Sequence, residues 1–171
     1  KEIFLGSNET KLVIVDVSDK ENPKKIAEQS YPNVFYTHQG WFTEDQKYFI
    51  LGDELDESRI GGKTRTLVFD LTDLDKPQLF HTYFGPTDAI DHNGYVKGDE
   101  FYLANYTAGI RIISINDLKN KNMNEIGFFD TFPEHNSNTF NGVWNVYPFF
   151  DSGVIAISDF DRGLFLVKKS K

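Results

Sequence analysis

The chain has no cysteine. That excludes disulfide staples, thiolate zinc sites and cysteine nucleophiles together, while leaving the compartment open, since secreted proteins can also lack the residue. Long hydrophobic runs are missing too: nothing approaches the ~18 consecutive apolar residues of a membrane-spanning helix. Positive charge is in deficit, with 18 Lys and Arg against 26 Asp and Glu and a net charge of −8. Phosphates need a basic face, so a nucleic-acid partner is not expected. Helix signals are scarce. The best stretch, Ser18 to Gln29, carries Pro23 in its middle and lacks an apolar stripe at the helical period. No leader-like segment stands at Lys1, which reads as a mature, trimmed or cytosolic chain.

What is present is strand. Apolar residues make up 39% of the 171 and aromatics 15%, enough for a packed core in one domain or part of a larger one. Short β-branched and aromatic runs are bounded by Gly, Pro, Asn and Asp: Ile3 to Leu5, Leu12 to Val17, Tyr48 to Leu51, Arg65 to Leu71, Phe101 to Ala104, Ile110 to Ile115, Val154 to Ile157 and Leu164 to Val167.

These runs repeat. LVIVDVSD at Leu12 matches LVFDLTD at Leu67, then GIRIISIND at Gly109 and GLFLVKKS at Gly163. Aligning Asp16, Asp70, Ser114 and Lys168 gives steps of 54, 44 and 54 residues. HQGW at His38 recurs as HNGY at His92 and, more weakly, as FNGVW at Phe140. Four strands per unit of roughly 40–50 residues is the arithmetic of a propeller blade. The sequence therefore predicts an all-β chain: a β-propeller of four-stranded antiparallel blades, present as an incomplete set of about three and a half where closure takes roughly 4–8. Blades are expected at about residues 1–33, 34–87, 88–137 and 138–171 of a single partial domain, the first and last incomplete. The remaining blades would belong to the same longer chain, and open blade faces at both ends predict poor stability or self-association of the isolated piece.

LVIVDVSD, YTHQGWFTEDQKYFILGDELDE, DHNGY, YLANYTAGIRI and ISDFDRGLFLV together resemble the LVIVD-repeat proteins of the choice-of-anchor B family, over almost the whole chain. The resemblance implies a secreted or surface-anchored bacterial propeller. It brings no defined catalytic activity, and the anchoring tail of that family is not seen in this sequence.

His38 and His92 fall at one position of successive blades. Asp53 and Asn105 share another, with Ser158 in that place in the last blade. One reading is a hydrogen bond from histidine to aspartate that ties the first strand to the end of the second. The other is a site at the channel mouth, where His38, His92, Asp53 and Glu54 converge on a divalent cation such as calcium, or on a ligand. That requires the ligands to lie on adjacent blades at one depth. The acidic run Asp53 to Glu57 reads as a solvated loop. As a calcium site it lacks the spacing of an EF-hand. Trp41, Tyr95 and Trp144 each follow the repeated Gly region and read as packing between blades. Asn105-Tyr106-Thr107 satisfies the glycosylation triplet, a short and weak signal.

No nucleophile elbow, zinc-protease helix or phosphate loop occurs. The reading that follows is a non-catalytic surface module that binds or scaffolds a protein or glycan partner, outer-membrane proteins among the candidates. The alternative is a metal-dependent hydrolase, or a glycosidase using a carboxylate pair at the channel mouth.

Overall fold

The computed structural model describes residues 1–170. Fourteen strands form four antiparallel sheets. The first holds β1 (Ile3–Ser7), β2 (Leu12–Asp16) and β3 (Lys24–Gln29). The second holds β4 (Thr37–Phe42), β5 (Tyr48–Asp53), β6 (Arg65–Asp70) and β7 (Gln78–Phe84), in chain order. The third repeats that order with β8 (Gly94–Lys97), β9 (Glu100–Ala104), β10 (Ile110–Asp117) and β11 (Asn122–Phe129). The fourth holds β12 (Val143–Tyr147), β13 (Ile155–Asp159) and β14 (Gly163–Val167). The fold is a β-propeller present in part, with two four-stranded blades flanked by two three-stranded sheets, and the expected third strands are β2, β6, β10 and β14. Among the described residues no helix is long and apolar enough to cross a membrane.

The blades are held together face to face. Because side chains alternate across a strand, each central strand sends one set of apolar residues to the preceding blade and one to the following blade. Phe49 and Leu51 join Leu12, Ile14, Leu67 and Phe69 in the core between the first and second blades. Ile50 and Val68, one residue out of step, join Phe101, Leu103 and Ile113 between the second and third. Tyr102 and Ala104 then join Ile110, Ile112, Val143 and Ile157 between the third and fourth. Burial on both faces is why YFIL and LVF read as continuous apolar runs. Each fully buried aliphatic or aromatic side chain contributes about 1.5–3 kcal/mol.

The second blade departs from the expected loop between its second and third strands. A five-residue helix, α1 (Asp56–Ile60), interrupts it. The acidic run expected to be solvated is instead interior: Asp53, Asp56 and Glu57 are all at most 1% exposed. The reason is Arg65 at the start of β6, whose guanidinium pairs with Asp56 through Nε and lies 3.8 Å from Asp53. Its other nitrogens donate to the carbonyls of Pro32 and Asn33 at 2.9 and 2.8 Å. Like the carboxylates it is buried, and it holds them inside.

Candidate functional site

Strand register decides which residues are equivalent. Gly40 lies opposite Leu51, Gly94 opposite Leu103 and Val146 opposite Ile157. Counting back two residues places His38, His92 and Trp144 at one position of three successive first strands. Trp144 therefore does not belong with Trp41 and Tyr95, as FNGVW suggested; Tyr147 does, since Trp41, Tyr95 and Tyr147 face Ile50, Tyr102 and Ala156. The Gly of FNGVW precedes β12 and is not the in-strand Gly of HQGW. The rings of His38 and His92 lie 4.5 Å apart and those of His92 and Trp144 4.3 Å, so the equivalent side chains stack in a row from blade to blade.

At the far end of the second strand Asp159, rather than Ser158, shares the place of Asp53 and Asn105. All three are buried fasteners. Asp53 accepts from the Tyr31 hydroxyl at 2.8 Å and from the backbone N–H groups of Phe35 and Tyr36 at 2.8 and 2.7 Å. The Asn105 amide donates to the carbonyls of Ala89 and Ile90 at 3.0 and 2.8 Å. Asp159 accepts from Thr131 at 2.5 Å and from the N–H groups of Asp161 and Arg162. Asp53 thus pins the segment entering its own blade and is not a partner of the histidines. Asn105, 1% exposed and fully engaged, offers no acceptor for a glycan.

The residue that meets the histidines is Glu54. Its Oε2 lies 3.6 Å from Nε2 of His38 and its Oε1 lies 3.4 Å from Nε2 of His92. Ligand atoms of the three residues fall within 4.8 Å of one another. The required geometry of adjacent blades at one depth is met, with Glu54 in place of Asp53. Nδ1 of His92 lies 2.5 Å from the Trp144 carbonyl. A carbonyl only accepts, so Nδ1 carries the proton. Burial holds His92 below the ordinary histidine range, against the raising pull of the Trp144 carbonyl and Glu54. A neutral His92 then presents a bare lone pair at Nε2, a buried atom without a hydrogen-bond partner, to a carboxylate oxygen. The Tyr106 hydroxyl donates to that same oxygen at 2.7 Å. Burial and this bond to Glu54 hold the Tyr106 hydroxyl proton, pushing its pKa up.

Beside this cluster lies a second one, of which the sequence marked Asp56 and Glu57 as part of the acidic run and missed Asp91. Asp91, in the segment leading into β8, brings a carboxylate within 4.8 Å of those of Asp56 and Glu57. Gly52 makes the room: a Cβ there would run into the Asp91 carboxylate. The only sequence hint was an acid immediately before a repeated His. Tyr106 was also missed, although it occupies in the third blade the place that Glu54 holds in the second.

Around the His row the surface is aromatic. Trp144 is 43% exposed and packs on Phe160 at 5.7 Å, and Phe140 packs on Tyr106 at 5.4 Å. Trp41, expected as packing between blades, is 41% exposed while still edge-on to Tyr95 at 4.9 Å.

No family model and no curated protein matches the chain. Solved structures do. The chain is similar to the periplasmic gluconolactonase of Pseudomonas aeruginosa, with a TM-score of 0.64 and 13% identity over 99% of this chain and 53% of that one. It is also similar to a protein of unknown function from Bacteroides thetaiotaomicron, with a TM-score of 0.53 and 9% identity over 95% of this chain and 40% of the other. The chain spans about half the length of the first or less of these structures. At such identities the likeness is one of fold.

Proposed function

We propose that the chain is a ligand-binding β-propeller module. His38, Glu54 and His92 hold a divalent transition metal at the inner strands, and the aromatic surface around Trp144 docks a glycan or protein partner. The observation that carries this reading is His92 Nε2, buried without a hydrogen-bond partner, facing Glu54 Oε1 at 3.4 Å, with the His38, Glu54 and His92 ligand atoms within 4.8 Å of one another. An ion about 2.1 Å from each of two tetrahedrally placed ligand atoms separates them by about 3.4 Å. A backbone carbonyl fixing the far ring nitrogen is the usual support of a metal-bound histidine. Two imidazoles and one carboxylate favour zinc or a neighbouring transition metal over calcium, which takes oxygen ligands. A bacterial surface or secreted setting, with envelope proteins among the partners, rests on the LVIVD resemblance alone.

Calorimetric titration of chelator-treated chain with Zn²⁺ tests the site. One equivalent should bind to the native sequence and be lost in His92→Ala; equal binding by both sinks the metal reading. A glycan array and an envelope pull-down, each with and without Zn²⁺, then test the docking surface.

A metal-dependent hydrolase is the second reading. Three protein ligands leave a fourth position for a water that zinc would acidify, and one similar structure is named a gluconolactonase. Zinc-dependent opening of lactones or esters, abolished in His92→Ala, would favour it over a binding role.

A further inference from the structure

We infer that Asp56, Glu57 and Asp91 form a second, separate cation site, one for a hard divalent ion such as calcium, that clamps the second blade to the third. Three observations converge. The three carboxylates are each 1% exposed and bring oxygens within 4.8 Å of one another. Both oxygens of Asp91 and Oε2 of Glu57 are buried without a hydrogen-bond donor. The nearby cations are already committed: Arg65 pairs with Asp56 and lies 3.8 Å from Asp53, its remaining nitrogens bind the Pro32 and Asn33 carbonyls, and Lys63 pairs with Asp88 at 2.8 Å.

Four buried carboxylates, Asp53 included, thus face one guanidinium. Isolated buried charges of one sign are strongly unfavourable unless something neutralises them. Asp53 is surrounded by donors and needs no more. The free oxygens belong to Asp91 and Glu57, and the Asp56 oxygens keep spare lone pairs beyond their bonds to Arg65 and the Glu57 N–H. That donor set is all oxygen, which suits calcium or magnesium and is poor for zinc. A cavity of about 60 Å³ lined by Asp56, Glu57, Gly61, Lys63, Arg65 and Phe84 adjoins the cluster. Its volume equals that of about two waters, at about 30 Å³ each, on the Asp56 and Glu57 side of the cluster. Asp56 and Glu57 sit on α1, after β5, and Asp91 sits before β8. An ion shared among them therefore ties together segments of two blades.

The experiment uses the purified full chain, stripped with a chelator and titrated with Ca²⁺ or Mg²⁺ alone while heat-induced unfolding and calorimetric binding are followed. One equivalent of Ca²⁺ should bind and raise the melting temperature by several degrees. Asp91→Asn should weaken that binding at least tenfold and remove the rise, and Glu57→Gln serves as the second variant if the first does not fold. His92→Ala should keep the calcium response in full, which separates this site from the zinc site. Native chain that binds neither ion and melts unchanged would overturn the proposal in favour of carboxylates neutralised by shared protons. So would an undiminished calcium response in both carboxylate variants.

Discussion

Nε2 of His92 and Oε1 of Glu54 face each other at 3.4 Å while Nδ1 of the same ring donates to the Trp144 carbonyl. One backbone hydrogen bond from the fourth blade thereby fixes which nitrogen of a third-blade histidine confronts a second-blade carboxylate. The tautomer is a property of three blades together.

Tyr106 supports this arrangement from outside the ligand set by donating to Glu54 at 2.7 Å. Tyr106→Phe should leave the fold intact and weaken Zn²⁺ binding by about 10–100-fold, the usual cost of losing a partner of a metal ligand. Calorimetric affinities within a factor of two would remove Tyr106 from the site.

Asp53 should behave as a fastener. It is 0% exposed and accepts from Tyr31, Phe35 and Tyr36. Asp53→Asn turns an acceptor toward these donors into a group that must donate as well, and should cost about 3 kcal/mol. Denaturant midpoints measure the loss. Zinc affinity of the folded variant should stay unchanged, and a selective loss of zinc with no loss of stability would place Asp53 in the metal site after all.

The repeated Gly of HQGW and HNGY has a packing role. A Cβ on Gly40 would meet the Phe49 ring and the Ile50 carbonyl, and one on Gly94 would meet the Phe101 ring. Gly94→Ala should therefore destabilise by about 1–3 kcal/mol through overpacking. Gly98→Ala is a poor control because of its positive φ. Gly85→Ala, whose nearest contact is an ordinary 3.5 Å from Thr64, should be much milder. Equal effects of the two substitutions would refute the steric account.

His81 on β7 gives a dependence on pH. Burial, with Lys121 nearby, holds its pKa below the ordinary histidine value of about 6.5. The folded state therefore keeps His81 neutral where the unfolded chain takes up a proton, and stability falls as pH drops through 6.5. His81→Gln lacks this term. Its melting temperature relative to the native chain should rise as pH falls from about 7 to about 5; a constant difference would exclude a contribution from His81.

The outer edge of the fourth blade predicts self-association. Among the described residues β14 pairs only with β13, and Leu164 and Leu166 along it are 69% and 65% exposed. An unpaired apolar strand edge invites another strand. Light scattering of residues 1–171 expressed alone should show species above monomer mass, and Leu164→Lys with Leu166→Lys should shift it toward monomer. A monodisperse native monomer would contradict this.

Much of the fold was legible because its signals are local. The alternation that builds YFIL and LVF and the turn residues bounding each run act over a few positions, and their recurrence at 54, 44 and 54 residues marks the blades. Equivalence failed in the last blade, where the Gly of FNGVW imitates that of HQGW although register sets Trp144 beside the histidines. No local rule separates the two, since only pairing with β13 counts the residues.

The sequence by itself determined an all-β repeat, its strand order within each blade, and the placing of His38 and His92 at one recurrent position. Tertiary structure decided what surrounds them. Asp53 and Glu54 are adjacent in the chain, yet side chains alternate across a strand end, so one turns to Tyr31 and Arg65 and the other to the histidines. The run Asp53 to Glu57 looks solvated as letters because acids usually are. It is interior because Arg65, eight residues beyond Glu57, reaches back to it, and because Asp91 arrives from the next blade over a glycine that leaves space. Burial of charge depends on partners brought together by the packing of blades, and that information is not contained in any short stretch of chain.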